Sequence, residues 1–166
     1  MNSSLQQLQT QISAAVAGWS EEQLSARRGD KWSAGEILEH LLLTYEGTTR
    51  ALERCLDSGK TLATRPTLRQ RLITFALLTT RHMPEGRKSP ERALPKGRPV
   101  MSVAGQIAPQ VGIMDAAMAR CENKFGRHTK VLDHPVLGAL TVNQWRSFHC
   151  IHGKHHLQQL ARLHHP

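Results

Sequence analysis

Helical periodicity fills nearly every stretch between the glycine and proline breaks of this chain, and no period-two alternation runs for any length. That combination restricts the fold to helices packed on helices. A first helix is expected from about Ser3 to Gly18, with Leu5, Leu8, Ile12, Ala15 and Val16 on one side. Beyond Ser20-Glu21-Glu22-Gln23 the chain passes through a turn at Arg28-Gly29-Asp30. The second helix is the best marked. Ser33 and Glu36 form a Ser-x-x-Glu capping box, and Trp32 with Ile37 supplies the matching hydrophobic staple. Its apolar side runs through Leu38, Leu41, Leu42, Tyr45, Leu52 and Leu56 to a stop at Ser58-Gly59.

A shorter helix is expected over about Thr67 to His82, carrying Leu68, Leu72, Phe75, Ala76 and Leu78. A loop punctuated by Pro84, Gly86, Pro90, Pro95, Gly97 and Pro99 follows. A long third helix spans about Ser102 to Phe125, with Pro109 placed to bend or divide it. Gly126 ends it, and His128 to Leu140 reads as a loop containing Asp133-His134-Pro135. The last helix opens on the same devices as the second, Thr141 with Gln144 as the box and Leu140 with Trp145 as the staple. The expected fold is therefore all-α, a single domain over residues 1–166 with four principal helices in a bundle. The long connection between its second and third helices carries the extra short helix.

A chain of 166 residues is long enough to bury a core. With aromatics at only 4%, that core is mainly Leu, Ala, Ile and Val. The segment Met1-Asn2-Ser3-Ser4-Leu5-Gln6-Gln7 lacks the basic and apolar regions of a signal peptide, and no apolar stretch approaches the ~18 residues of a membrane span. Cys55, Cys121 and Cys150 are odd in number and widely spaced, which indicates reduced thiols in a cytoplasmic protein. The formal charge of +9 raises nucleic acid as a partner. Its excess gathers between Lys60 and Arg98, where Arg65, Arg69, Arg71, Arg81, Arg87, Lys88, Arg92 and Lys96 are opposed only by Glu85 and Glu91. No aromatic platform beyond Phe75 accompanies these cations. A solvated loop and a contact for an anionic small molecule are both better readings than nucleic acid.

The chemistry concentrates in the last helix. At about 100° per residue, Trp145, Phe148, His149, His152, His156, Leu160 and Leu163 share one face. Two imidazoles in an apolar stripe need partners, because an unsatisfied buried polar group is costly. A divalent metal supplies one, and the i,i+4 spacing of His152 and His156 suits chelation of a single ion. Core histidines bonded to polar neighbours remain the alternative. A centre that keeps a position open for chemistry needs a third protein ligand. His40, inside the well-capped second helix, is the candidate. It falls at or beyond the margin of the stripe of Leu38, Tyr45 and Leu56, which suits a cleft wall and equally a solvated side chain.

The segment Trp32-Ser33-Ala34-Gly35-Glu36-Ile37-Leu38-Glu39-His40 resembles the Trp-Ser-x-x-Glu-x-x-x-His segment of the DinB/YfiT-like four-helix proteins. His152-Gly153-Lys154-His155-His156-Leu157-Gln158-Gln159-Leu160 is similar to that family's His-x-x-x-His-x-x-Gln-hydrophobic ending. The run from His134-Pro135 to Gln144-Trp145 looks like the lead-in of one branch. The resemblance implies a DinB-type bundle and a three-histidine metal site whose positions here are His40, His152 and His156, with zinc or nickel the favoured ions. It also implies a thiol-S-transferase, joining a low-molecular-weight thiol to an electrophile, or a related hydrolase. A non-catalytic metal-binding protein of the bacterial stress response and a basic nucleic-acid-binding bundle are the alternatives. A homodimer is compatible with this reading and a membrane partner is not.

The remaining histidines are assigned lesser roles. His149 shares the stripe and is expected to pack or to support the ligands. Gln159 is placed to orient one of them. His134 is either a lid residue or a turn residue beside the last helix. His155 belongs to the rim, and His82, His128, His164 and His165 to the surface.

Overall fold

A computed structural model of the chain describes residues 2–84, 86 and 88–164. Glu85 and Arg87 of the basic segment, His165 and the side chain of His164 lie outside the described residues. The elements in chain order are α1 (Ser3–Val16), α2 (Glu21–Ser25), α3 (Ala34–Ser58), α4 (Leu68–Thr80), α5 (Val100–Phe125), β1 (Lys130–His134), β2 (Gly138–Thr141) and α6 (Val142–His164). A single 3₁₀ turn, Glu91–Ala93, interrupts the connection from α4 to α5. The protein is mostly helical, as the periodicity requires.

Four long helices share one core. α3 packs along α5, α1 lies against α5 and α6, and α6 closes against α3 and α5. Leu5, Leu8 and Ile12 from α1 meet Leu38, Leu41, Leu42, Tyr45 and Leu52 from α3 there, with Ile107, Val111, Met114 and Met118 from α5. The α3 start is the expected one: Ser33 Oγ accepts from the Glu36 N–H while Glu36 returns a bond to the Ser33 N–H at 2.8 Å. Its end is Gly59 in the left-handed region at φ 68°. Thr141 and Gln144 cap α6 in the same way.

Four features depart from the sequence expectations. Residues 130–141 form an antiparallel hairpin rather than a loop, with His134 opposite Gly138 and Asp133 opposite Ala139. Strands of five and four residues are too short to show alternation, so the all-α expectation missed them. The hairpin is held from outside: Leu62 N–H donates to Val131 C=O, and Asp133 accepts from the Thr64 amide and hydroxyl. Ser20 and Gln23 are a further capping box that opens the short α2, a helix the sequence reading did not mark. Pro109 does not divide α5, which runs continuously past it between fully buried Ile107 and Val111.

The fourth departure is the facing of α4. Leu68, Leu72 and Phe75 point to solvent at 71%, 62% and 71% exposure, and Thr74 and Leu77 are the buried residues. The Thr74 hydroxyl donates to Leu137 C=O in the turn of the hairpin, which sets the rotation of this helix.

Candidate metal centre

His40 is 3% exposed, so the ambiguity over its position on α3 resolves to the buried wall. Its Nδ1–H donates to the Ala93 carbonyl at 2.7 Å. A carbonyl only accepts, so the proton is on Nδ1 and Nε2 keeps its lone pair. His156 on α6 is arranged in the same way, donating from Nδ1 to Gln159 Oε1 at 2.7 Å. The Gln159 amide group meets His155 Nε2 at 3.2 Å on its other side, so the glutamine is itself oriented.

Between these two lies His152, its Nε2 3.1 Å from His40 Nε2 and 3.0 Å from His156 Nε2. One ligand atom from each of the three lies within 4.8 Å of the others. Imidazole nitrogens about 2.0–2.1 Å from one tetrahedral zinc stand roughly 3.3 Å apart, so the spacing around His152 fits a shared ion with little movement. Phe148 stacks on the His152 ring at 11°, and Trp32 packs against His40. Burial holds all three imidazoles neutral, the form a metal needs. It lowers the pKa of His40, pushes His156 down to about 3, and takes His152 well below the ordinary value with help from its two partners.

The Ala93 carbonyl is itself latched to α3. Glu39, 2% exposed, accepts from the N–H groups of Lys96, Gly97 and Arg98 at 2.8, 3.1 and 3.3 Å. The Arg98 guanidinium then pairs with Glu46, about two turns further along the same helix. Sequence reasoning passed over Glu39. The signal was a carboxylate inside the apolar run Ile37-Leu38-Glu39-His40-Leu41, which has to find donors.

The residues expected in support divide. Gln159 orients a ligand. His149 does not join the cluster: it is fully buried, its Nε2 meets Thr48 Oγ1 at 3.1 Å, and burial with the nearby His134 pushes its pKa down to about 3. His134 serves the hairpin turn, with Nδ1 accepting from the Val136 and Leu137 N–H groups, and it also packs over Phe148 at 4.4 Å. Burial and then Arg92 lower its pKa to about 4. His82 and His128 are exposed, and Cys55, Cys121 and Cys150 are buried free thiols.

Two cavities meet at the centre. The larger, about 870 Å³, is walled by apolar side chains such as Ile73, Leu77, Met83 and Leu137, and all three cluster histidines reach it. The smaller, about 380 Å³, also reaches His40 and His152 but is lined by Arg50, Arg54 and Arg92. Of the basic segment, Lys88 and Arg92 therefore line cavities, while Arg65, Arg69 and Arg71 are exposed and line neither. No described helix is long and apolar enough to cross a membrane.

The chain belongs to a family described as a protein of unknown function, DUF1569, whose model matches residues 3–163. No curated protein and no solved structure matches the chain.

Proposed function

For this member of the DUF1569 family we propose a metal-dependent enzyme of DinB-like kind, a thiol-S-transferase or a related hydrolase. Its divalent ion, zinc or nickel, is held by His40, His152 and His156. The observation that carries this reading is the convergence of three buried Nε2 atoms, two of them stripped of their protons by carbonyl partners, at the wall of a large apolar cavity. Among the described residues no fourth histidine, cysteine or carboxylate joins the group, which favours an open position over a closed structural site. One ligand from α3 and two from α6, helices that share a core with α1 and α5, support the DinB-like assignment.

A divalent ion in this place supplies Lewis acidity, lowering the pKa of a thiol or a water so that a nucleophile is available at neutral pH. The chain does the rest. Ala93 and Gln159 fix the ligand tautomers, burial keeps protons off the imidazoles, and the apolar cavity takes the hydrophobic part of a small-molecule substrate.

Elemental analysis of protein purified without a histidine tag or chelator tests the centre. Close to one equivalent of zinc or nickel is expected, absent from the double variant His152→Ala/His156→Ala. Thioether formation between a thiol and an aryl electrophile, followed by absorbance, then tests the chemistry. Protein that takes up no metal, or takes up as much in the double variant, overturns the reading.

A further inference from the structure

The smaller cavity is built from the side of α3 that continues beyond His40. Thr44, Gly47, Thr48 and Ala51 succeed one another there at helical spacing, and their small side chains leave the space open. A Cβ at Gly47 would meet nothing within 4 Å. The cations stand around this floor. Arg50 and Arg54 come from α3 and Arg92 from the 3₁₀ turn that also carries the His40 acceptor Ala93. Against these three guanidinium groups the lining has one carboxylate, Asp133, already taken by Thr64. Arg50 shares Glu46 with Arg98, and Arg54 has no ion pair among the described residues.

Two further lining residues keep a buried nitrogen without a hydrogen-bond partner: Trp145, 5% exposed, at its indole Nε1–H, and His152 at Nδ1. An indole nitrogen only donates, so its partner has to be an acceptor. The larger cavity has the opposite character, with Lys88 its one formally charged described side chain. His40, His152 and Phe148 line both.

We propose that the smaller cavity is the subsite of a compact organic anion, carrying carboxylate or phosphate groups, which reaches the three-histidine centre from the arginine side while an apolar partner occupies the larger cavity. This rests on the metal-centre reading and adds to it the class of the second reactant. A cavity of about 380 Å³ limits that reactant to a small molecule. Cations in a partly enclosed site attract an anion more strongly than the same groups on an open surface, because solvent screens them less.

The test uses the full chain in metal-free and cobalt-loaded forms, with succinate, inorganic phosphate, mercaptosuccinate and mercaptoethanol as probes. Calorimetry reads anion binding to the metal-free protein, and the visible spectrum of cobalt reads thiol binding to the loaded one. Mercaptosuccinate is expected to bind the cobalt form more tightly than mercaptoethanol. Arg54→Gln and Arg92→Gln, both at exposed positions, should each cut that advantage about tenfold, one decade of affinity. Arg69→Gln on the outside of α4 should change nothing. Succinate or phosphate binding to the metal-free form, with the same arginine dependence, also supports the subsite and tells a carboxylate ligand from a phosphorylated one.

Cobalt uptake with equal affinity for the two thiols and silent arginine variants would overturn the subsite and leave the metal centre standing. Arginine-dependent anion binding without cobalt uptake would do the reverse. Equal weakening by Arg54→Gln, Arg92→Gln and Arg69→Gln would reveal a diffuse field and overturn the subsite.

Discussion

His40 and His156 each commit one ring nitrogen to a carbonyl oxygen, so their orientation depends on groups that touch no ion. Such supporting contacts are commonly worth about 10–100-fold in metal affinity. Gln159→Ala is therefore expected to weaken zinc binding by about that factor in a chelator competition, with the far-ultraviolet spectrum unchanged. Unchanged affinity would mean that the glutamine does not set the His156 ring. His149 leads to a different expectation. Its folded pKa of about 3 lies below the ordinary 6.5 of a free imidazole, so the unfolded chain takes up the proton first as the pH falls. The stability it lends is full above pH 6.5 and drains as the pH drops toward 3. The loss is at most one proton's worth, about 1.4 kcal/mol per pH unit. In metal-free protein, urea unfolding from neutral pH downward should show a shallower acid slope for His149→Phe than for the wild type. Parallel slopes would mean that His149 titrates alike in both states.

Among the elements, α6 carries the most constraints: a capped start, a core stripe and two ligands one turn apart. Gly153, between His152 and Lys154, is what lets this helix approach its neighbours. A Cβ there would stand 2.6 Å from Leu8 Cδ1 and 3.1 Å from the Tyr45 hydroxyl, and Leu8 is 1% exposed. Helix propensity alone would favour alanine by about 1 kcal/mol, but overpacking a core costs about 1–3 kcal/mol. Gly153→Ala should therefore lower stability by up to about 2 kcal/mol in urea titration. A gain in stability would show that α1 yields. Arg146, earlier on the same helix and 11% exposed, binds Asp115 and Glu122 of α5, while the Asn2 N–H donates to Asp115 at the start of α1. Removing one member of a buried ion pair strands the other at about 3–5 kcal/mol. Asp115→Ala leaves Arg146 its bond to Glu122 and strands the Asn2 N–H, so it should cost less than that and loosen α1, which hydrogen exchange would detect as faster exchange in residues 3–16.

For the molecule as a whole, the proposed ion bridges α3 and α6 and binds only when the two are packed together. A ligand at 100 times its dissociation constant stabilises the native state by about 2.7 kcal/mol. For a chain of 166 residues that corresponds to a Tm shift of roughly 5–10 °C. Chelation of the wild type should lower Tm by about that much, and the His152→Ala/His156→Ala variant should not respond. An equal response in both would place the bound metal elsewhere.

The four long helices, the two best caps and the buried stripe of α6 are legible in residue order, because helical period and capping chemistry are local and repeat along the chain. It also marked all three cluster histidines, although the residues alone left His40 open between a cleft wall and solvent. The remaining features depend on contacts between distant segments. The hairpin is paired by strands too short to carry a period and is clamped by Leu62 and Thr64. α4 turns Leu68 and Leu72 outward because Thr74 is tied to Leu137. The proton on His40 is placed by Ala93, a carbonyl 53 residues away, held in turn by Glu39 and the loop it grips. A backbone carbonyl has no side-chain signature, so the choice of which histidine nitrogen is free for a metal is written in packing and not in residue order.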